Sequence, residues 1–195
     1  MELINCIQGT PEWHKSRLGM LTGSEAQAIA SNGAGLKTLV TKLVAERMTG
    51  KQESTYMNDD MKRGKELEAE ARCAYELETG NMVTEVGFCK LDNYVGSSPD
   101  GLIGDKGGVE IKCFNAYKFV DYLYTQKIDT GYEWQCQFNM FVTDREWWDY
   151  VVYNPDFDNP LIIKRINRDE VAIEKIKLGI ESGKKMIDDY LFKIT

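Results

Sequence analysis

The residues of this chain best suited to chemistry lie in the run Ser97-Ser98-Pro99-Asp100-Gly101-Leu102 and in Gly107-Gly108-Val109-Glu110-Ile111-Lys112-Cys113. Side chains alternate along a strand, so Glu110 and Lys112 share one face while Val109, Ile111 and Cys113 share the other. Asp100 sits in a tight Pro-Asp-Gly turn, where a hairpin can return its carboxylate beside Glu110. Two carboxylates so placed suit Mg²⁺, a hard ion held by one or two carboxylates plus waters and phosphate oxygens. A lysine beside the ion can hold or deprotonate an attacking water and balance charge. The competing reading is a turn aspartate and a solvated Glu/Lys strand face, because an isolated Asp…Glu-x-Lys triplet arises often by chance.

Two further residues bear on that choice. On a helix over Asp59–Glu78, Glu68 shares a small and apolar face with Gly64, Ala71 and Tyr75. A carboxylate buried there unpaired would cost several kcal/mol, so it needs a partner, either a metal cluster or Arg63 or Lys65 reaching over it. On a helix over Tyr132–Thr143, Glu133 and Gln137 share the polar side and Gln135 lies toward the buried arc. A glutamine there needs hydrogen-bond partners, in a site or on a neighbouring backbone. The single histidine, His14, beside Trp13, reads as structural or DNA-proximal, and any Ser-His-Asp or Cys-His mechanism would have to run through it. Trp134, Trp147 and Trp148 read as core, and Lys164, Arg165 and Arg168 as a solvated basic face.

The elements that must position these groups follow from periodicity and punctuation. Thr22 and Ser24 are candidate caps for a helix through Glu25–Ala30 that stops near Asn32-Gly33. A second helix runs through Lys37–Met48 to Gly50, and a third from Asp59 to Glu78. Met82–Cys89, Tyr94–Ser97 and Val109–Cys113 read as an antiparallel meander. Helices at Tyr117–Gln126 and Tyr132–Thr143, strands at Trp147–Tyr153 and Leu161–Ile166, and a long helix from Asp169 to Leu191 complete the order. The expected fold is α/β, a mixed sheet flanked by helices, in one domain over residues 1–195.

Composition narrows the class. At 43% hydrophobic and 28% charged residues the chain can bury a real core. It lacks the roughly 18-residue apolar run of a membrane span, and its N-terminus has no basic or apolar leader. Cys6, Cys73, Cys89, Cys113 and Cys136 make an odd set without C-x-x-C, which fits reduced thiols in a cytoplasmic compartment and argues against a disulfide scaffold or a zinc site. The net charge of −7 counts against a sequence-blind DNA binder unless metal ions neutralise some of the acids.

Taken together, Gly64-x-x-x-Glu68, Asp100, Glu110-Ile111-Lys112 and Gln135 resemble the PD-(D/E)xK nuclease pattern, in the order of its phage-type alkaline exonuclease branch. Trp13-His14-Lys15-Ser16-Arg17-Leu18-Gly19 with Thr22-Gly23-Ser24-Glu25, Ser98-Pro99-Asp100-Gly101-Leu102, and the run from Tyr132 to Thr143 resemble further blocks of lambda exonuclease and its YqaJ-like relatives. The resemblance spans roughly residues 11–155 and implies a restriction-endonuclease-like core.

That resemblance implies a hydrolase with two Mg²⁺ or Mn²⁺ ions. Asp100, Glu110 and the Ile111 carbonyl would ligate one shell and Glu68 would serve the second ion. Lys112 would activate water, Gln135 would help orient it, and Arg17, Ser24 and Ser98 would hold a DNA 5′-phosphate. For Arg17 the alternative is a surface ion pair, and for Ser24 a helix cap. The family further implies 5′→3′ digestion of double-stranded DNA ends to leave 3′ overhangs for recombination or repair. It also implies a single-strand annealing protein as partner, a homo-oligomer (a trimer), and a phage gene expressed in the cytoplasm of a bacterial host. The segment Ser31–Leu36 and the C-terminal part are shorter than in lambda exonuclease. Alternatives on the same fold are an endonuclease or structure-specific nuclease and a non-catalytic DNA-binding or assembly protein.

Overall fold

In the computed structural model, which describes residues 1–52 and 59–194, the chain runs from β1 (Glu2–Ile4) through α1 (Pro11–Ser16) and a single 3-10 turn (Gly23–Glu25). It continues through α2 (Ala26–Ser31), α3 (Ala34–Thr49) and α4 (Asp59–Thr79) to the short strands β2 (Val83–Thr84), β3 (Phe88–Lys90) and β4 (Gly96–Ser97). Next come β5 (Gly101–Ile103), β6 (Gly107–Cys113), α5 (Ala116–Thr125) and α6 (Thr130–Thr143). β7 (Trp147–Tyr153), β8 (Leu161–Asn167) and α7 (Glu170–Ile194) complete the order.

Five strands form the main sheet in the order β2-β5-β6-β7-β8, with β6 at its centre. β6 pairs antiparallel with β5 and parallel with β7, so the sheet is mixed. Joining parallel neighbours needs a crossover, and α5 and α6 supply it. Each starts at a built cap: the Asn115 side chain accepts from Lys118 N–H, and the Asp129 side chain accepts from Gly131 N–H. The parallel pair also requires close approach. A Cβ at Gly107 would lie 2.1 Å from the Trp147 ring, and one at Gly108 would lie 2.2 Å from the Trp148 ring. Glycine at both positions lets the indoles lie flat on the strand.

Alternation along β6 and β7 sends the two sheet faces to different partners. Val109, Ile111, Val151 and Tyr153 pack against Ala71 and Tyr75 of α4. Trp148, Tyr150 and Val152 pack against Phe119, Tyr122 and Met140 of α5 and α6. A third cluster joins α2, α3 and α7 through Ile29, Leu36, Val40, Ile176 and Ile180. Within it α7 comes so close to α2 that a Cβ on Gly179 would sit 1.9 Å from the Ile29 carbonyl oxygen. The architecture is the expected α/β one, a mixed sheet flanked by helices.

Three expectations need correction. Met82–Cys89 is not one strand: β2 pairs with β5 in the main sheet, whereas β3 joins β1 and β4 in a second, three-stranded sheet. The break falls at Gly87, where a Cβ would stand 2.2 Å from the Cys6 carbonyl, so the chain changes sheets where it crosses the segment after β1. The meander therefore divides between two sheets, and Gly101–Ile103, whose Gly101 belongs to the expected Pro-Asp-Gly turn and whose other two residues fall in no expected strand, is the strand that pairs with β6. Helix α1 was not anticipated, although Thr10 caps it by accepting from Trp13 N–H and Pro11 opens it.

Candidate active site

The antiparallel ladder between β5 and β6 stops at Gly101↔Val109, while the parallel ladder to β7 continues to Cys113. Past that stop, β6 has an open edge. Asp100 fills it: its Oδ2 accepts the Ile111 N–H at 2.7 Å in place of a ladder partner. The carbonyl of a strand residue leaves on the same edge as its N–H, so the Ile111 oxygen faces the same opening.

Glu110 and Lys112 point to the α6 face. Glu110 is 1% exposed, and both its oxygens are engaged. Oε1 accepts from Lys112 Nζ at 2.6 Å and from Gln135 Nε2 at 2.6 Å. Oε2 accepts from Asn139 Nδ2 at 3.2 Å. Gln135 and Asn139 are one helical turn apart, so α6 presents both amides to one carboxylate. The Lys112 ammonium lies 4.8 Å from the centre of the Tyr132 ring, a cation–π contact. Asn139 and Tyr132 were not singled out from sequence. The polar-residue logic that marked Gln135 applies equally to Asn139, four residues on and 1% exposed.

Charge is tightly balanced here. Burial, reinforced by Asp100, pushes the Glu110 carboxyl up to about 7 despite its contact with Lys112. Burial likewise raises Asp100, against the pull of Lys112 and the Ile111 N–H. Burial alone would depress the Lys112 ammonium, but Glu110 and Asp100 outweigh it and the net direction is up. As it stands, Lys112 is a charged donor.

Glu68 lines the same cleft as Asp100, a cavity of about 630 Å³ that also takes in Trp13, Arg72 and Glu85. It is not the buried, apolar-faced carboxylate expected from the helix wheel: its side chain is 37% exposed. Arg63 does not cover it but turns away to the Phe114 carbonyl and Asp156, while Lys65 lines the same cleft. Its cationic neighbour is Arg72, at 3.9 Å, which pairs more closely with Glu85 at 3.0 Å. Burial, and then Asp100, raise Glu68 to about 7.

Arg17, Ser24 and Ser98 come together around a residue that sequence reading left in the background. The Trp13 indole N–H donates to Ser98 Oγ at 2.8 Å, and the Arg17 guanidinium lies 4.3 Å from the Trp13 ring centre. The same guanidinium reaches Thr22 Oγ1 at 3.3 Å and Ser24 Oγ at 3.4 Å. Among the described residues no ion pair holds Arg17, and the cap positions fall on Thr22 and Glu25 rather than Ser24, neither with a side-chain cap bond. Ser24, Tyr132 and Gln135 line a second cleft of about 560 Å³, so the Glu110 cluster stands between two openings.

The remaining candidates have structural partners. His14 Nδ1 pairs with Gln52 Oε1 at 3.0 Å. Trp148 is fully buried. Arg165 forks onto Asp149 at 2.8 and 2.9 Å while covering Trp147, so it is not a free basic face. Arg168 bonds Glu170 and the Met140 carbonyl. Gln137, expected on the polar side of its helix, is buried instead, donating to the Asn167 carbonyl and accepting from Asp169 N–H.

The donors that could hold a divalent cation are hard oxygens: Asp100, Glu110, Glu68 and the Ile111 carbonyl. Among the described residues no three His, Cys, Asp or Glu side chains converge closely enough to hold an ion unaided. Hard oxygen donors of this kind are the ones Mg²⁺ takes, alongside several waters. Burial first, and then mutual repulsion, raises these carboxyls, and a cation would relieve both.

Comparisons with known proteins agree with this geometry. The chain is 36% identical to an alkaline exonuclease (LHK-Exo) from Laribacter hongkongensis, with a TM-score of 0.86 over 94% of this chain and 97% of that one. The same exonuclease in complex with dAMP matches at 35% identity and a TM-score of 0.87, over 95% of this chain and 96% of that one. A phage-related exonuclease from Haemophilus somnus 129PT, 16% identical, shares the fold at a TM-score of 0.68 over 90% of this chain and 96% of that one. No curated protein matches the chain. The model of the YqaJ-like viral recombinase domain matches residues 12–146. The chain belongs to the YqaJ-like viral recombinase domain family, within the phage-type alkaline exonucleases.

Proposed function

We propose that this chain is a Mg²⁺- or Mn²⁺-dependent exonuclease that degrades the 5′-ended strand of double-stranded DNA and leaves a 3′ single-stranded overhang. The observation that carries the reading is the convergence on buried Glu110 of Lys112 and Gln135, beside Asp100 clamped to the Ile111 N–H. A bare structural ion pair would need neither the second carboxylate nor the open strand edge.

Two cations held by Asp100, Glu110, Glu68 and the Ile111 carbonyl would stabilise the attacking and leaving oxygens of the phosphodiester. The chain's own groups do the rest. Lys112, charged while Glu110 and Asp100 face it, donates a hydrogen bond to water or phosphate. It becomes able to take a proton once those carboxylates are neutralised. Gln135 and Asn139 fix the Glu110 carboxylate in one orientation, so that its oxygens need no reorganisation during reaction. Arg17, with Ser24 and with Ser98 held by Trp13, presents a planar fork and hydroxyls to a terminal phosphate.

In this reading the negative net charge is offset locally by cations at the site. A single-strand annealing protein would take up the overhang, in the cytoplasm of a bacterial host, and the enzyme would act as a homo-oligomer on phage DNA ends. The decisive experiment is a time course on linear duplex labelled separately at each 5′ and 3′ terminus, with and without Mg²⁺. Early release of the 5′ label only with Mg²⁺ is expected. Early release of the 3′ label, or cleavage of covalently closed circular duplex, overturns the polarity or the end dependence.

A further inference from the structure

Behind Tyr132, on the side away from Ser24, lies a recess of about 360 Å³, within the range of about 300–1,000 Å³ usual for small-molecule sites. It is built from aromatic rings. Tyr132 stacks on Tyr150 with centroids 5.9 Å apart, and Tyr122 and Phe114 close the box at 6.1 Å from Tyr150 and 6.4 Å from Tyr132. Tyr117, 79% exposed, stands at the mouth. Tyr132 also touches the Lys112 ammonium and lines the cleft of Ser24 and Gln135, so one ring separates the recess from the candidate active site.

Two features say what the recess would take. Tyr122 and Tyr150 are 4% and 1% exposed, yet among the described residues neither hydroxyl has a hydrogen-bond partner. Neither belongs with the sealed polar atoms, which among the described residues are Ser97 Oγ and Trp148 Nε1, so both phenols open into the recess. Burial raises both, so they keep their protons and can donate as well as accept. The lining carries charged residues of both signs, Lys118 and Lys127 with Asp121 and Asp129. Aromatic walls with two phenol hydroxyls suit a flat ring with polar edges.

We propose that this aromatic recess is a nucleobase subsite, receiving a base of the strand that is cut while its phosphate lies against Arg17 and Ser24. The proposal rests on the nuclease reading for the identity of that strand. Tyr117 supplies a stacking face at the entrance, and the Tyr122 and Tyr150 hydroxyls meet the edge of the base. Every base offers a π-face, so the subsite grips DNA without choosing a sequence.

The test uses 5′-phosphorylated duplexes carrying 2-aminopurine at each of the first four positions of the strand, bound with Ca²⁺ in place of Mg²⁺. Binding is followed by anisotropy and stacking by quenching. The expected result is strong quenching at one position, lost in Tyr117→Ala with its melting temperature unchanged. An abasic residue at that position should slow Mg²⁺-dependent digestion about tenfold, and Tyr122→Phe should raise KM with kcat preserved. Normal binding with no quenching at any position overturns the subsite and leaves the nuclease reading intact, as does digestion indifferent to abasic sites. Quenching with no digestion in Mg²⁺ upholds the subsite and overturns the nuclease reading. No binding at all overturns both.

Discussion

The indole N–H of Trp13 donates to the hydroxyl of Ser98 at 2.8 Å, fastening the first helix to the turn that presents Asp100 two residues later. The same ring carries Arg17 on its face. A group proposed to grip a DNA end and a group proposed to hold a cation are thereby referred to one rigid indole. Replacing Trp13 should disturb both.

Asp100→Asn should reduce Mg²⁺-dependent digestion by about a thousandfold or more, the several kcal/mol expected when a metal's charge-stabilising role is lost. Burial raises Asp100, so the charge is costly to the metal-free fold, and the variant should melt no lower than the parent without metal. Digestion within tenfold of the parent would remove Asp100 from the site.

Arg17→Ala should lower the rate on 5′-phosphorylated ends by about ten- to a hundredfold, the scale of one charge-assisted hydrogen bond. Ends bearing a 5′-hydroxyl should be affected much less. Equal losses on the two substrates would show that Arg17 does not read the phosphate.

The pH dependence of stability has a definite sign. Glu110 and Glu68 are raised to about 7 from an ordinary 4.5, in each case first by burial and then by Asp100. The folded chain thus keeps protons that the unfolded chain has released. This contribution is fully present below about pH 4.5 and is lost as pH rises toward 7. In chelator the melting temperature of Glu110→Gln should fall less across that window than that of the parent, and Mg²⁺ should restore the parent above pH 7. Parallel profiles for the two proteins would refute the raised carboxyl.

Gly179→Ala should destabilise the fold by about 1–3 kcal/mol, because the added methyl overlaps the Ile29 carbonyl and α7 must move off α2. A denaturant midpoint shift measures it. A change below about 0.5 kcal/mol would mean that the two helices part without cost.

Much of this was legible in the residues. Glu110 and Lys112 share a face because strand alternation leaves no choice, and the same rule sends Val109 and Ile111 to α4. The long helices declared themselves by period and by the glycines at their ends. What escaped was set by tertiary contact. The division of Met82–Cys89 between two sheets depends on Cys6 passing Gly87, a neighbour distant in sequence. Glu68 looked buried because a helix wheel shows a face but not what covers it, and here a cleft lies over it. Gln137 looked solvated by the same geometry, but β8 and α7 close over it. Asn139 and Tyr132 matter only because α6 brings them against Glu110 and Lys112 of β6, a tertiary contact that no local pattern encodes.

The strand bearing Glu110 and Lys112 keeps a seven-residue ladder to β7 throughout its length and a β5 ladder as far as Val109, whereas β1 and β2 are borders of three and two residues. Warming should therefore fray the borders first and release their amides to deuterium long before those of β6. The reacting groups ride on a strand held along its whole length by β7, not on those borders. Heat inactivation should then follow the global collapse of the molecule rather than any early loosening at its rim.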